Sequence, residues 1–81
     1  MLVKFFIKPR KGVLDPQGRA VAENLRSLGF TEVRDVKVGK YIEVYVEETD
    51  REKAIERAKE MAKKALVNEI IEDYEFEVVE D

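Results

Sequence analysis

The hydrophobic pattern of this chain changes period several times, and the order of those changes restricts the fold more than any other feature. Residues 2–8, Leu-Val-Lys-Phe-Phe-Ile-Lys, alternate as a strand does. Val3, Phe5 and Ile7 share one face; Lys4, Phe6 and Lys8 share the other. Pro9 stops the run, because proline has no N–H to give to a ladder. Asp15 suits the N-cap of a helix and Pro16 its first position. Val21, Ala22, Leu25 and Leu28 then recur at helical spacing, and Gly29 ends the helix. Residues 32–38 read as a second strand, with a slip in the alternation between Val33 and Val36. Gly39-Lys40 reads as a tight two-residue turn into a third strand, Tyr41 to Glu47, with Ile42, Val44 and Val46 inward. Asp50 caps a second helix reaching about Val67. Its apolar stripe is Ala54, Ile55, Ala58, Met61, Ala62, Ala65 and Leu66. The last strand starts near Glu72, with Tyr74, Phe76 and Val78 on one face.

The order β-α-β-β-α-β predicts an α+β fold: a ferredoxin-like antiparallel sheet with both helices on one face, as a single domain over residues 1–81. A chain this short buries only roughly 60–65% of its unfolded surface, so association would add buried area. In this topology the first strand lies between the third and the fourth. The outer sheet face then sets Lys4 and Lys8 between Glu43, Glu47, Glu75 and Glu77. Residues 1–40 carry net +5 and residues 41–81 net −8, and this cross-strand pairing absorbs the asymmetry. Phe6, Tyr41 and Tyr45 lie on the same outer face. Three aromatics among paired charges point to a face covered by another chain, an oligomer interface.

Chemistry is sparse. With no histidine and no cysteine, the commonest general base and the thiolate metal sites are missing. Ser27, Thr31 and Thr49 have no partner to activate them and read as turn or helix-end residues. No metal-ligand spacing is present, so no catalytic and no metal residue is assigned. The net charge of −3 argues against nucleic acid, and no stretch approaches a membrane span. Met1 to Ile7 lacks the pattern of a signal peptide. The absence of cysteine points to the cytoplasm. One basic loop, Lys8-Pro9-Arg10-Lys11-Gly12, leads into a helix. Arg10 and Lys11 have no evident partner in the pattern. A solvated loop, an anion site and a docking loop all fit it.

The run Lys11-Gly12-Val13-Leu14-Asp15-Pro16-Gln17-Gly18-Arg19-Ala20-Val21 is distinctive. Leu28-Gly29-Phe30, Val36-Lys37-Val38-Gly39-Lys40 and Ile71-Glu72-Asp73-Tyr74 follow it in order. This set resembles the PurS family, the small subunits of phosphoribosylformylglycinamidine synthase, over nearly the whole chain. One departure is Glu69 after Asn68, where family members often have proline. The resemblance implies a non-catalytic subunit in purine biosynthesis. It would assemble a large synthetase subunit and a glutaminase subunit and support ammonia transfer between them. ATP and Mg would belong to the synthetase, with no cofactor in this chain. It also implies a homodimer or homotetramer in which the first helix and second strand are exchanged between copies. The residues expected to meet partners are Arg10, Lys11, Gly12, Asp15, Pro16, Gly18 and Lys40, with Phe6, Tyr41 and Tyr45 between copies. The alternative is a regulatory domain of the ACT type, which shares the element order. An acylphosphatase-like enzyme would need a better anion loop than Arg10 with Gly12. An RNA-binding module would need fewer glutamates around Phe6 and Tyr45.

Overall fold

A computed structural model describes residues 1–80. Its elements are β1 (Leu2–Pro9), α1 (Pro16–Ser27), β2 (Lys40–Tyr45), α2 (Arg51–Met61), a π turn (Ala62–Leu66) and β3 (Glu72–Val79). The strands form an antiparallel sheet in the order β2-β1-β3. The central place of β1 follows from its composition, since Val3, Phe5 and Ile7 are at most 2% exposed. This is the expected α+β, ferredoxin-like sheet with its first strand inside.

α2 covers the inner face through small residues. Ala54, Ala58 and Ala62, spaced four apart, are buried, and side chains this short bring the helix axis close to Phe5 and Val78. Asp50 caps α2, accepting the Glu52 N–H at 2.9 Å. Beyond Met61 the helix widens: the Val67 N–H reaches the Ala62 carbonyl, five residues back, at 2.9 Å. That shift carries Val67 into the core, leaves Leu66 half-buried and exposes Ala65. The sequence stripe, drawn on an unbroken α-helix, placed Ala65 inward; the wider turn moves it out.

Two expectations are corrected. Residues 32–38 form no strand. Their backbone groups are engaged locally instead: the Val33 N–H bonds Phe30 O at 3.2 Å, the Val36 N–H bonds the Asp35 carboxylate, and Arg26 takes the carbonyls of Val33 and Arg34. Strand propensity without a neighbouring strand makes no ladder. Gly39-Lys40 is also not a hairpin turn. Among the described residues only Gly12 and Gly29 have positive φ, whereas a two-residue hairpin turn needs it. Gly39 serves a close approach: a Cβ there would fall on the Ile7 carbonyl oxygen.

α1 begins at its Asp15 cap and ends in a Schellman motif. The Gly29 N–H bonds Arg26 O and the Phe30 N–H bonds Leu25 O, both at 3.1 Å, with Gly29 at φ 104°. Among the described residues it is α2, rather than α1, that packs on the sheet and joins its core. α1 and residues 33–38 form an arm. The chain measures 49 × 27 × 14 Å, with a radius of gyration of 16.1 Å, whereas a compact domain of this length has about 12 Å.

Candidate docking site

The arm is built from both ends. At one, Asp15 Oδ1 accepts the Gly18 N–H and Oδ2 accepts the Val38 N–H, each at 3.0 Å. Those two bonds, the Val38 one foremost, hold the Asp15 carboxyl below the usual aspartate value. At the other, Arg26 Nε donates to Val33 O at 2.9 Å and Nη2 to Arg34 O at 3.1 Å. Gly18 and Ala22 are buried against the extended segment. A Cβ on Gly18 would collide with the Val36 carbonyl and the Asp15 carboxylate.

This packing uses one side of α1 and leaves the other bare. Val21 and Leu28, flanked by Leu14 and Phe30, remain open to solvent, Leu14 by 75% and Leu28 by 66%. The sheet shows the matching deficit. Ile42 and Val44 on β2 point inward yet are only half-buried, because α2 lies towards β3.

The basic loop turns at Gly12, with φ 87°. Arg10, read from the sequence as a cation without a partner, is tied to the start of β3. Its Nε lies 3.5 Å from Asp73 Oδ1 and donates to the Glu72 carbonyl at 3.3 Å. Lys40 Nζ lies 3.4 Å from Glu72 Oε2. Both cations line an open cleft of about 890 Å³ with Tyr41, Glu72, Asp73 and Tyr74. Their charges are met by carboxylates rather than converging on an anion. Lys11 and Pro16 are exposed and do not line it.

On the outer face Lys4 stands opposite Glu43 and Glu77, and Lys8 opposite Asp73. Glu47, expected beside them, lies beyond the end of β2, past the Leu2–Tyr45 pair, and the acid opposite Lys8 is Asp73 on β3. The Phe6 and Tyr41 rings are 5.2 Å apart. Tyr41 and Tyr45 both donate to Glu43, at 2.6 and 3.1 Å. The Glu43 bond pushes the Tyr41 phenol up to about 12. The two phenols in turn hold the Glu43 carboxyl below its usual range. Among the described residues no group of three or more acidic side chains is placed to hold a metal ion.

Sequence reasoning missed the Arg26 clasp and the tight seat of Gly18. A glycine at the third position of a helix, where propensity disfavours it, was the available signal for the second.

The family model of PurS, phosphoribosylformylglycinamidine (FGAM) synthase, matches residues 2–80. The chain belongs to the PurS family. It is 46% identical over 78 residues to the PurS subunit of this synthase from Bacillus subtilis, covering 96% of this chain and 92% of that one. The PurS subunit of Methanocaldococcus jannaschii is 44% identical over 72 residues, covering 89% and 87%. A structure of B. subtilis PurS superposes with a TM-score of 0.83 over 98% of both chains, at 46% identity. A chain in a structure of PurLQS from Thermotoga maritima superposes with a TM-score of 0.79 at 35% identity, over 95% of this chain and 96% of that one. PurS is an accessory subunit of a purine-biosynthetic synthase rather than its catalytic part. None of these likenesses supports an ACT-type domain.

Proposed function

We propose that this chain is the PurS subunit that joins the large synthetase and the glutaminase of phosphoribosylformylglycinamidine synthase, and keeps ammonia from being lost between them. The observation that carries the reading is the arm. Its uncovered stripe, Val21 and Leu28 with Leu14 and Phe30, and the half-covered inner face of β2 are apolar surfaces that one chain leaves unsatisfied. Exchange of arms between two copies would cover both surfaces. The paired chain would then offer two equal sets of docking groups: Arg10 and Lys40 in the cleft, Lys11 and Gly12 in the loop that follows, and Asp15, Pro16 and Gly18 at the root of the arm. The outer face, with Phe6, Tyr41 and Tyr45, suits a further contact between copies.

The chemistry belongs to the partners in this reading. ATP and Mg act on the synthetase, ammonia comes from the glutaminase, and this chain binds no cofactor and works in the cytoplasm. Reconstitution tests it. Purified synthetase and glutaminase should make amidine from glutamine only when this chain is added, while free ammonia should support synthesis without the glutaminase. Full glutamine-dependent activity in its absence would overturn the reading.

A further inference from the structure

β3 has β1 on one side and, among the described residues, no strand on the other. The Arg10 N–H bonds the Ile71 carbonyl at 2.8 Å, and hydrogen-bonded pairs alternate along an antiparallel ladder from such a point. With Lys8 opposite Asp73, Phe6 opposite Glu75 and Lys4 opposite Glu77, the backbones of those three acidic residues turn towards β1. The backbones of Tyr74, Phe76 and Val78 turn to the open side. Pro9, which has no N–H, falls opposite Glu72, a position that asks for none.

The side chains along this edge differ sharply between the two faces. Outside stands a row of carboxylates, Asp73, Glu75 and Glu77, all exposed; Arg10 and Lys8 meet Asp73 and Lys4 meets Glu77 from the β1 side, whereas Glu75 faces Phe6. Inside, a depression of about 410 Å³ runs between β3 and α2, lined by Arg51, Ile55, Phe76, Glu77 and Val78. A strand laid on this edge would place alternate side chains against carboxylates and against Ile55, Phe76 and Val78. A second copy of β3 fits poorly, since it would bring one acidic row beside another. Charged edges of this kind resist self-pairing.

We propose that the free edge of β3 binds an extended segment of a partner protein in which basic and aliphatic side chains alternate, added as a strand beside Tyr74, Phe76 and Val78. The site lies across the sheet from β2 and does not depend on the arm.

The test titrates the full chain with a blocked peptide, Lys-Val-Lys-Val-Lys-Val-Lys. Binding should saturate, shift the Tyr74, Phe76 and Val78 amides and slow their hydrogen exchange. Glu75→Lys with Glu77→Lys should weaken binding on the order of tenfold or more, and the milder Glu75→Gln with Glu77→Gln, which adds no charge to the sheet, should weaken it less. N-methylation of the peptide amides that face β3 should abolish binding. Equal affinity for a peptide of the same composition with lysines and valines in blocks would overturn the proposal. So would tolerance of N-methylation, or shifts confined to the arm and β2. Contacts between the β3 strands of two copies in the free protein would show that a second copy holds the edge, and would also overturn it.

Discussion

The Asp15 carboxylate accepts the Val38 N–H at 3.0 Å, across 23 positions of sequence. The same side chain caps α1 through Gly18, so one group fixes the helix and the extended segment to each other. Asp15→Ala should therefore speed amide exchange at Val38 and along the first turn of α1, while leaving β1 and β3 protected. The pH dependence follows from the lowered carboxyl. Its contribution is complete above the ordinary aspartate value of 3.8 and is lost as pH falls through its own lower value. Acid titration followed by amide signals should show the arm loosening only below 3.8. Loosening well above that pH, absent in Asp15→Ala, would contradict the assignment.

Replacing a helical glycine with alanine ordinarily gains about 0.5–1 kcal/mol. At Gly18 the sign should reverse. The added Cβ meets the Val36 carbonyl and the Asp15 carboxylate, and the bonds of Asp15 to Gly18 and Val38 tie the helix start to this segment, so Gly18→Ala should cost about 1–3 kcal/mol. Urea unfolding measures this directly, and a gain in stability would show that the arm is not packed as described.

Much of this arrangement was legible in the sequence. The alternation of Leu2–Lys8 placed Val3, Phe5 and Ile7 in the core, and Asp15 and Asp50 each marked a helix start that the structure keeps. Residues 32–38 were not legible as they stand. Val33, Val36 and Val38 carry strand propensity, but a strand exists only where another lies beside it, and sequence pattern does not report whether that neighbour is in the same chain. The π turn was hidden for a similar reason. Ala65 and Val67 are both apolar, and the extra residue in the turn decides which of them enters the core. The ties of Arg10 to Asp73 and Arg26 to Val33 depend on contacts that no local spacing encodes.

Two alanines on one helix provide a test of that turn. Ala58 is fully buried where α2 meets the sheet, so Ala58→Leu should overpack the contact and cost about 1–3 kcal/mol. Ala65 is exposed, and Ala65→Leu should stay within about 0.5 kcal/mol. Thermal unfolding of the two variants separates them. Similar losses would mean that the helix continues without widening and that Ala65 faces inward.

Assembly should respond differently to the two apolar surfaces. Leu28→Glu and Val21→Glu, on the bare side of α1, should reduce the mass found by light scattering to that of one chain. Phe6→Glu on the outer sheet face should reduce a tetramer only to a dimer. A single-chain mass for the unaltered protein at micromolar concentration would remove the basis for both.

The outer face also carries a titration that reads its geometry. Tyr41 donates to Glu43 at 2.6 Å, and losing the phenolic proton would set a phenolate against that carboxylate. The phenol is therefore raised to about 12 from its ordinary 10.0. A raised tyrosine favours the folded state fully below 10 and loses that contribution as pH rises through about 12. Glu43 mirrors this at the acid end: its contribution is present above the ordinary 4.5 and is lost as pH falls through its lowered value. Ultraviolet titration of the phenolates should show one tyrosine titrating near 12, assigned to Tyr41 by its disappearance in Tyr41→Phe. Glu43→Gln removes the charge while keeping an acceptor, and should bring that tyrosine back towards 10. If Tyr41 titrates at 10 in the unaltered protein, the bond to Glu43 is not formed in solution, and the ordered aromatic face proposed as a contact between copies loses its support.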